Sequence, residues 1–204
     1  MSATYPIPTL NGQFVRLEPM SLDHVEALVE AANDDRSTYG YTEVPSSREE
    51  MANYVANLLE QHQNDLTIPF VQVELASGRV SGATRYLSIR CEGTRRLPFA
   101  IEIGGTWLAG SSQRTRVNTE AKLLLLDYAF STWDVARVDF KTDARNNRSR
   151  TAILRLGAVF EGVLRKSQSS MVPGEASLFR DTAYFSILDI EWPLVQSTLR
   201  SSLR

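Results

Sequence analysis

The sequence predicts a mixed α/β fold in which one sheet is flanked by helices. Two observations carry this. Apolar residues alternate at period two in seven stretches and recur at helical spacing in five. The order is strand, two helices, three strands, helix, strand, helix, two strands and a terminal helix, which is not the regular alternation of a doubly wound sheet.

Residues 14–18, Phe-Val-Arg-Leu-Glu, alternate as a first strand, and Asp23 can cap a helix carrying Val25, Leu28 and Val29. A second helix is expected from Ser47 to about Gln63, with Met51, Tyr54, Val55, Leu58 and Leu59 on its apolar face. Strands follow at 68–75 and, after the Ser77-Gly78 turn, at 80–89. Leu97 to Leu108 is the longest extended stretch, with Leu97, Phe99, Ile101 and Ile103 on one parity and Ala100, Glu102 and Gly104 on the other. Gly104-Gly105 within it reads as a bulge or a close backbone approach. A polar loop, Ala109 to Asn118, leads into a helix from Thr119 to about Trp133 whose Leu123–Leu126 run calls for burial against a sheet. Val138, Phe140 and Thr142 alternate with Arg137, Asp139 and Lys141 in the next strand. Asn146 or Asn147 can cap a short helix bearing Ala152, Ile153 and Leu156, which Gly157 ends. Strands Val159–Leu164 and Thr182–Leu188 flank a loop around Pro173-Gly174, and a helix with Pro193 in its first turn is expected from Asp189.

At 204 residues the chain is expected to form one domain spanning 1–204, with 1–7 flexible and 189–204 a C-terminal helical extension. Hydrophobic residues make up 43% and charged ones 23%, which excludes wholesale disorder. A net charge of -2 and a pI near 5.8 give no reason to expect a nucleic-acid partner. The single cysteine, Cys91, excludes an internal disulfide framework, and two histidines, His24 and His62, give no basis for a metal cluster. With no apolar run near 20 residues and no leader pattern, a cytoplasmic protein without membrane contact is expected.

Three features could carry chemistry. In the first, the strand, polar loop and helix across 97–133 present backbone N–H groups at a helix start, a setting that attracts phosphate. Gln113, Arg114, Thr115, Arg116 and Asn118 surround that start with further donors, although a solvated basic loop before an ordinary capped helix has the same composition. The second is Asn146-x-x-Ser149, explained by capping alone but placed at the C-terminal end of a strand, where open α/β sheets hold ligands. The third is Glu102, whose apolar flanks suit a general base because such surroundings disfavour a carboxylate's charged form. A strand glutamate facing solvent or an arginine is the plainer alternative.

Taken together, Glu102-Ile-Gly-x-Thr-Trp-Leu, Gln113-Arg-Thr-Arg-Val-Asn-Thr-Glu-Ala-Lys122 and Lys141-Thr-Asp-x-x-Asn146-x-x-Ser149 resemble the GNAT superfamily of N-acetyltransferases, in its RimJ/RimL-like branch. Arg155-Leu-Gly-Ala158, Glu161-Gly-Val-Leu-Arg165, Arg180-Asp-Thr-x-Tyr184 and Glu191-Trp-Pro193 extend the resemblance over roughly residues 8–195. It implies a mixed, mainly antiparallel sheet of seven strands whose fourth and fifth, 97–108 and 137–142, splay apart around acetyl-CoA as co-substrate. Backbone groups near Trp107 and Leu108 are then expected to pair with the pantetheine arm, and Gln113, Arg114, Thr115, Arg116, Val117, Asn118 and Thr119 to hold the pyrophosphate. Asn146 and Ser149 contact the cofactor from the other side. No metal is implied.

By the same resemblance, Glu102 accepts a proton from a primary amine and Ser149 donates one to the departing thiolate, with acetyl transferred directly. The chain departs from the superfamily at Arg116 and Asn118, which replace small residues of the Q/R-x-x-G-x-G/A loop, and at Ile153, where many relatives carry a tyrosine. Those departures motivate an alternative, a non-catalytic acyl-CoA-binding or interaction domain. The acceptor is expected to be a protein N-terminus or a small amine, and the chain a monomer or homodimer. An α-amine is already roughly 10% neutral at pH 7 whereas a lysine amine is about 0.04% neutral, so a modest carboxylate base suits the former.

Overall fold

The computed structural model describes Tyr5, residues 8–93 and residues 97–204, so the expectation for residues 1–7 lies, Tyr5 apart, outside the described residues. Eight strands form one sheet: β1 (Leu10–Asn11), β2 (Val15–Pro19), β3 (Thr67–Glu74), β4 (Val80–Arg90), β5 (Ala100–Leu108), β6 (Arg137–Asp143), β7 (Val159–Ser169) and β8 (Phe179–Leu188). Their spatial order is β1-β2-β3-β4-β5-β6-β8-β7, with every neighbouring pair antiparallel except β5 and β6. The eighth strand beyond the expected seven is the two-residue β1, too short to show a period. The last hairpin also runs further than expected, because Gln168 and Ser169 still pair with Arg180 and Phe179.

The helices are α1 (Val25–Ala32), α2 (Arg48–Gln63), α3 (Arg116–Ser131), α4 (Asn147–Arg155) and α5 (Trp192–Ser202). Their starts follow side-chain capping. Ser47 and Glu50 form a capping box on α2. Before α1 a 3₁₀ turn, Leu22–His24, is capped by Ser21 and not by the expected Asp23. Thr115 accepts from Val117 N at 3.2 Å, so α3 begins at Arg116 and not at Thr119. The polar loop is three residues shorter in consequence. Asn146, not Asn147, caps α4, and Gly157 ends it with φ +94°, where a side chain would be strained.

The sheet buries both faces over part of its width. On one face α3 and α5 cover Tyr86, Ile101, Ile103, Val138, Phe140 and Phe185. On the other, α1 and α2 cover Val71, Val73, Ala83 and Trp107. The bulge expected at Gly104-Gly105 is present: Arg85 pairs with Gly104 but Ala83 with Trp107, and Gly105 has φ +56°. The extra residue flips the side-chain parity of β5. Ile101 and Ile103 face α3 before it, and Thr106 and Leu108 do so after it, while Trp107 is turned to α1 and α2.

Two buried charged groups on α3 fix this arrangement. Glu120 accepts from the backbone N–H of Gln13, Phe14 and Val15 at 2.8, 2.6 and 2.8 Å, fastening the start of β2 to the helix. Lys122 donates to Thr84 Oγ1 at 3.0 Å and Thr106 Oγ1 at 2.6 Å, fastening α3 to the far side of the bulge. Burial pulls the Lys122 ammonium down to a pKa of about 7.

Removing the Glu120 acceptor leaves three N–H groups without a partner, so Glu120→Ala is expected to cost about 3 kcal/mol in urea unfolding. Gly12→Ala should also destabilise, since a Cβ there would stand 2.4 Å from Glu120 Oε2. For Lys122 the unfolded chain holds the proton to higher pH than the folded one. Stability therefore rises as pH goes from about 7 towards 9.5, by linkage, and Lys122→Met should flatten that rise in unfolding midpoints measured across this range.

Candidate active site

β5 and β6 are parallel neighbours for three residue pairs only: Ala100 with Arg137, Ile101 with Val138 and Glu102 with Asp139. Beyond them β5 runs on to Leu108 against β4, and β6 to Asp143 against β8. The expected splay is therefore present, with Ile103–Leu108 and Phe140–Asp143 as its two walls. Because the strands are parallel, the helices that follow them, α3 and α4, both start at the open end. Unpaired N–H groups at helix starts beside a parting of parallel strands are the setting in which open α/β sheets hold ligands.

At the start of α3, Thr115 takes the Val117 N–H and leaves those of Arg116 and Asn118 without an intrahelical acceptor. Asn118 Oδ1 is buried with no partner among the described residues. Arg114 is exposed and held at φ +62°, an unusual conformation for a side-chain-bearing residue. Thr119 is half-buried and Val117 lies in the core.

Three expectations change here. Gln113 was expected at the pyrophosphate, but its amide donates to Leu108 O and Thr38 Oγ1, both at 2.9 Å, and serves as a strut. The Leu108 carbonyl also accepts from Tyr39 Oη at 3.0 Å, so both lone pairs are used and it is lost as an acceptor for a pantetheine arm. The Arg116 guanidinium lies 4.9 Å from the Phe14 ring centre and donates to the Arg204 carbonyl, directed to the β1–β2 end of the sheet. A cleft of about 520 Å³ opens beside it, lined by Gln13, Phe14, Leu75, Thr115 and Arg116.

Across the gap, Asn146 Oδ1 accepts from Ser149 N at 3.0 Å, which is the capping role. The Ser149 hydroxyl is half-buried and makes no hydrogen bond among the described residues, so it is uncommitted. Behind it Arg145 bridges Asp143 at 2.8 Å and Glu175 at 2.9 Å, bracing the end of β6.

Glu102 stands at the vertex, on the last paired residue of β5, and is buried. It is not the lone carboxylate that its apolar neighbours in sequence suggest. Lys141 Nζ lies 2.7 Å from Oε2 and Ser88 donates to the same oxygen at 2.9 Å. The alternation of β6 puts Lys141 on the face of Glu102, a pairing between strands that sequence neighbours cannot report. Sequence reasoning also missed Lys122 and Arg85. A lysine at the edge of the Leu123–Leu126 run was the available signal for the first; the second had none. Among the described residues no group of three or more His, Cys, Asp or Glu could hold a metal ion, and no helix is long and apolar enough to cross a membrane.

No curated protein matches the chain. Among solved structures, a GCN5-related N-acetyltransferase from Brucella melitensis superimposes with TM-score 0.83 at 27% identity, over 100% of this chain and 90% of that one. RimJ from Mycobacterium smegmatis, in complex with CoA-disulfide, gives 0.78 at 20% identity, over 99% and 97%. The ribosomal-protein-S5-alanine acetyltransferase from Vibrio fischeri gives 0.69 at 17% identity, over 91% and 98%. At 20% and 17% identity the last two show a shared fold. The model of the acetyltransferase (GNAT) domain matches residues 15–159. The splayed strands, the helix starts at their open end and this match agree: the chain belongs to the GNAT acetyltransferases, a family that uses acetyl-CoA, and is an N-acetyltransferase.

Proposed function

We propose that the protein transfers the acetyl group of acetyl-CoA directly to a primary amine, with Glu102 as proton acceptor and Ser149 as proton donor. The observation that carries this reading is the gap itself, an opening in the middle of a sheet with two helix starts at its mouth. The residues there suit CoA: Asn118 Oδ1 is a buried acceptor without a donor, and the N–H groups of Arg116 and Asn118 suit a pyrophosphate. Thr115, Thr119 and Asn146 complete the cradle, with Trp107 on the β5 wall. Arg114 is exposed beside it and free to add charge.

When bound, acetyl-CoA supplies an activated acyl carbon. The bulge of β5 holds backbone N–H groups near Ile103 to Thr106 in a fixed direction, and a preorganised donor polarises a carbonyl without reorganising. Glu102 accepts the proton of the attacking amine, through water. Lys141 and Ser88 hold the carboxylate in place. The Ser149 hydroxyl, with no other partner, gives a proton to the departing sulfur. Orientation of the two reactants supplies most of the acceleration, since positioned groups reach effective molarities on the order of 10⁵ M. An uncommitted hydroxyl at the start of α4 and a held carboxylate at the vertex of the gap favour turnover over a purely binding domain.

Glu102→Gln is expected to lower kcat about 100-fold in a thiol-release assay while calorimetric acetyl-CoA affinity stays within twofold. An equal fall in both, or an unfolded variant, makes Glu102 the structural partner of Lys141. Ser149→Ala keeps the Asn146 cap, which uses the backbone of Ser149, so its melting temperature should hold while kcat falls. An unchanged kcat assigns the proton to water.

A further inference from the structure

The two glycines of the β5 bulge make room for two side chains of opposite charge. A Cβ on Gly104 would stand 3.2 Å from Glu102 Oε1, and a Cβ on Gly105 would stand 2.6 Å from Arg85 Nε and 3.1 Å from its Cζ. A carboxylate and a guanidinium thus lie against neighbouring residues of one dipeptide. Gly105 is exposed and Gly104 half-buried, so this part of the bulge is open to solvent.

The two charges are not paired with each other. Glu102 is held by Lys141 and Ser88. Arg85, from β4, has no ion pair or hydrogen bond among the described residues, and its Nε is buried. Beside it, Tyr54 of α2 is half-buried with its hydroxyl desolvated, which pushes that pKa up, and it lies in the field of Arg85 and hydrogen-bonds with Trp107. Buried donors without acceptors are costly, and a guanidinium with a free fork matches a carboxylate in shape and charge. With Glu102 paired to Lys141, Arg85 is left without an ion pair on the β4 side of the gap among the described residues, as Arg180 is on the β8 side.

Resting on the acetyl-transfer reading above, we infer that the acceptor is a small amine carrying a carboxylate a few bonds from its nitrogen, of the amino-acid type. Arg85 anchors that carboxylate and so presents the amine at Glu102. A single cation suits a carboxylate's single charge better than a phosphate's two.

Initial-rate kinetics on matched acceptors test this: amino acids, their carboxamides, the corresponding amines without the carboxyl, and short peptides with a free N-terminus. In the wild type, kcat/KM for amino acids should exceed that for carboxamides and decarboxylated amines at least tenfold. Arg85→Gln should remove this difference by raising the acceptor KM, with the acetyl-CoA KM within twofold, and Arg85→Lys should restore part of it. Equal rates on acids and amides, preference for peptides, or an equal loss on every acceptor in Arg85→Gln would overturn the inference while leaving acetyl transfer standing. The wild-type ranking decides even where the variant fails to fold. Absence of thiol release with every amine overturns the acetyl-transfer reading itself.

Discussion

β5 and β6 stay together for only three pairs, and the functional architecture depends on that early parting. A sheet that opens in its middle leaves backbone donors and acceptors facing each other without partners, a state that costs free energy unless water or a ligand completes it. The protein keeps the opening because each wall is secured from its outer side. β5 holds to β4, and β6 to β8 along its whole length. Both walls end in a helix start, so the unpaired groups of the strands and the helices point to one place.

Buried polar groups on α3 make the near wall rigid. Glu120 draws the beginning of β2 onto the helix, and Lys122 reaches the two threonines behind the bulge. A lysine without a carboxylate in a core is expensive, and its lowered pKa is the mark of that cost. In return the bulge is held from behind at Thr106, so the Gly104-Gly105 backbone in front is presented in one geometry. The same economy explains how the segment from Gln113 to Asn118 manages without glycine. Arg116 already lies in the helix and sends its side chain to Phe14, while Arg114 alone adopts a positive φ.

The two faces of the parted region differ in kind. Towards α3 the strands are apolar, with Ile101, Ile103, Val138 and Phe140 in the core. The opposite face carries Glu102, Lys141 and Arg85 beside the bulge, and further out Asp139 with Arg137 and Glu161 with Ser186. One face thus supplies the support and the other the charge pattern that an acceptor meets.

The sequence by itself determined the element order, the bulge and the family. Period-two and helical spacings are local properties, Gly104-Gly105 is a local break, and the motifs around Glu102, Gln113 and Asn146 are contiguous. It also named Glu102, Asn118 and Ser149, each of which lies at the gap. What side chains do across strands was decided only by the tertiary structure. Lys141 reaches Glu102 from 39 positions away because β5 and β6 are parallel neighbours there, and Arg85 comes to Gly105 through an antiparallel register shifted by the bulge. Gln113 is drawn inwards by Leu108, and Arg116 is turned along the surface to Phe14, partners that no local pattern couples to them. Composition and period report where a residue lies on its own element, whereas charge pairing depends on register between elements, and that is set by the fold as a whole.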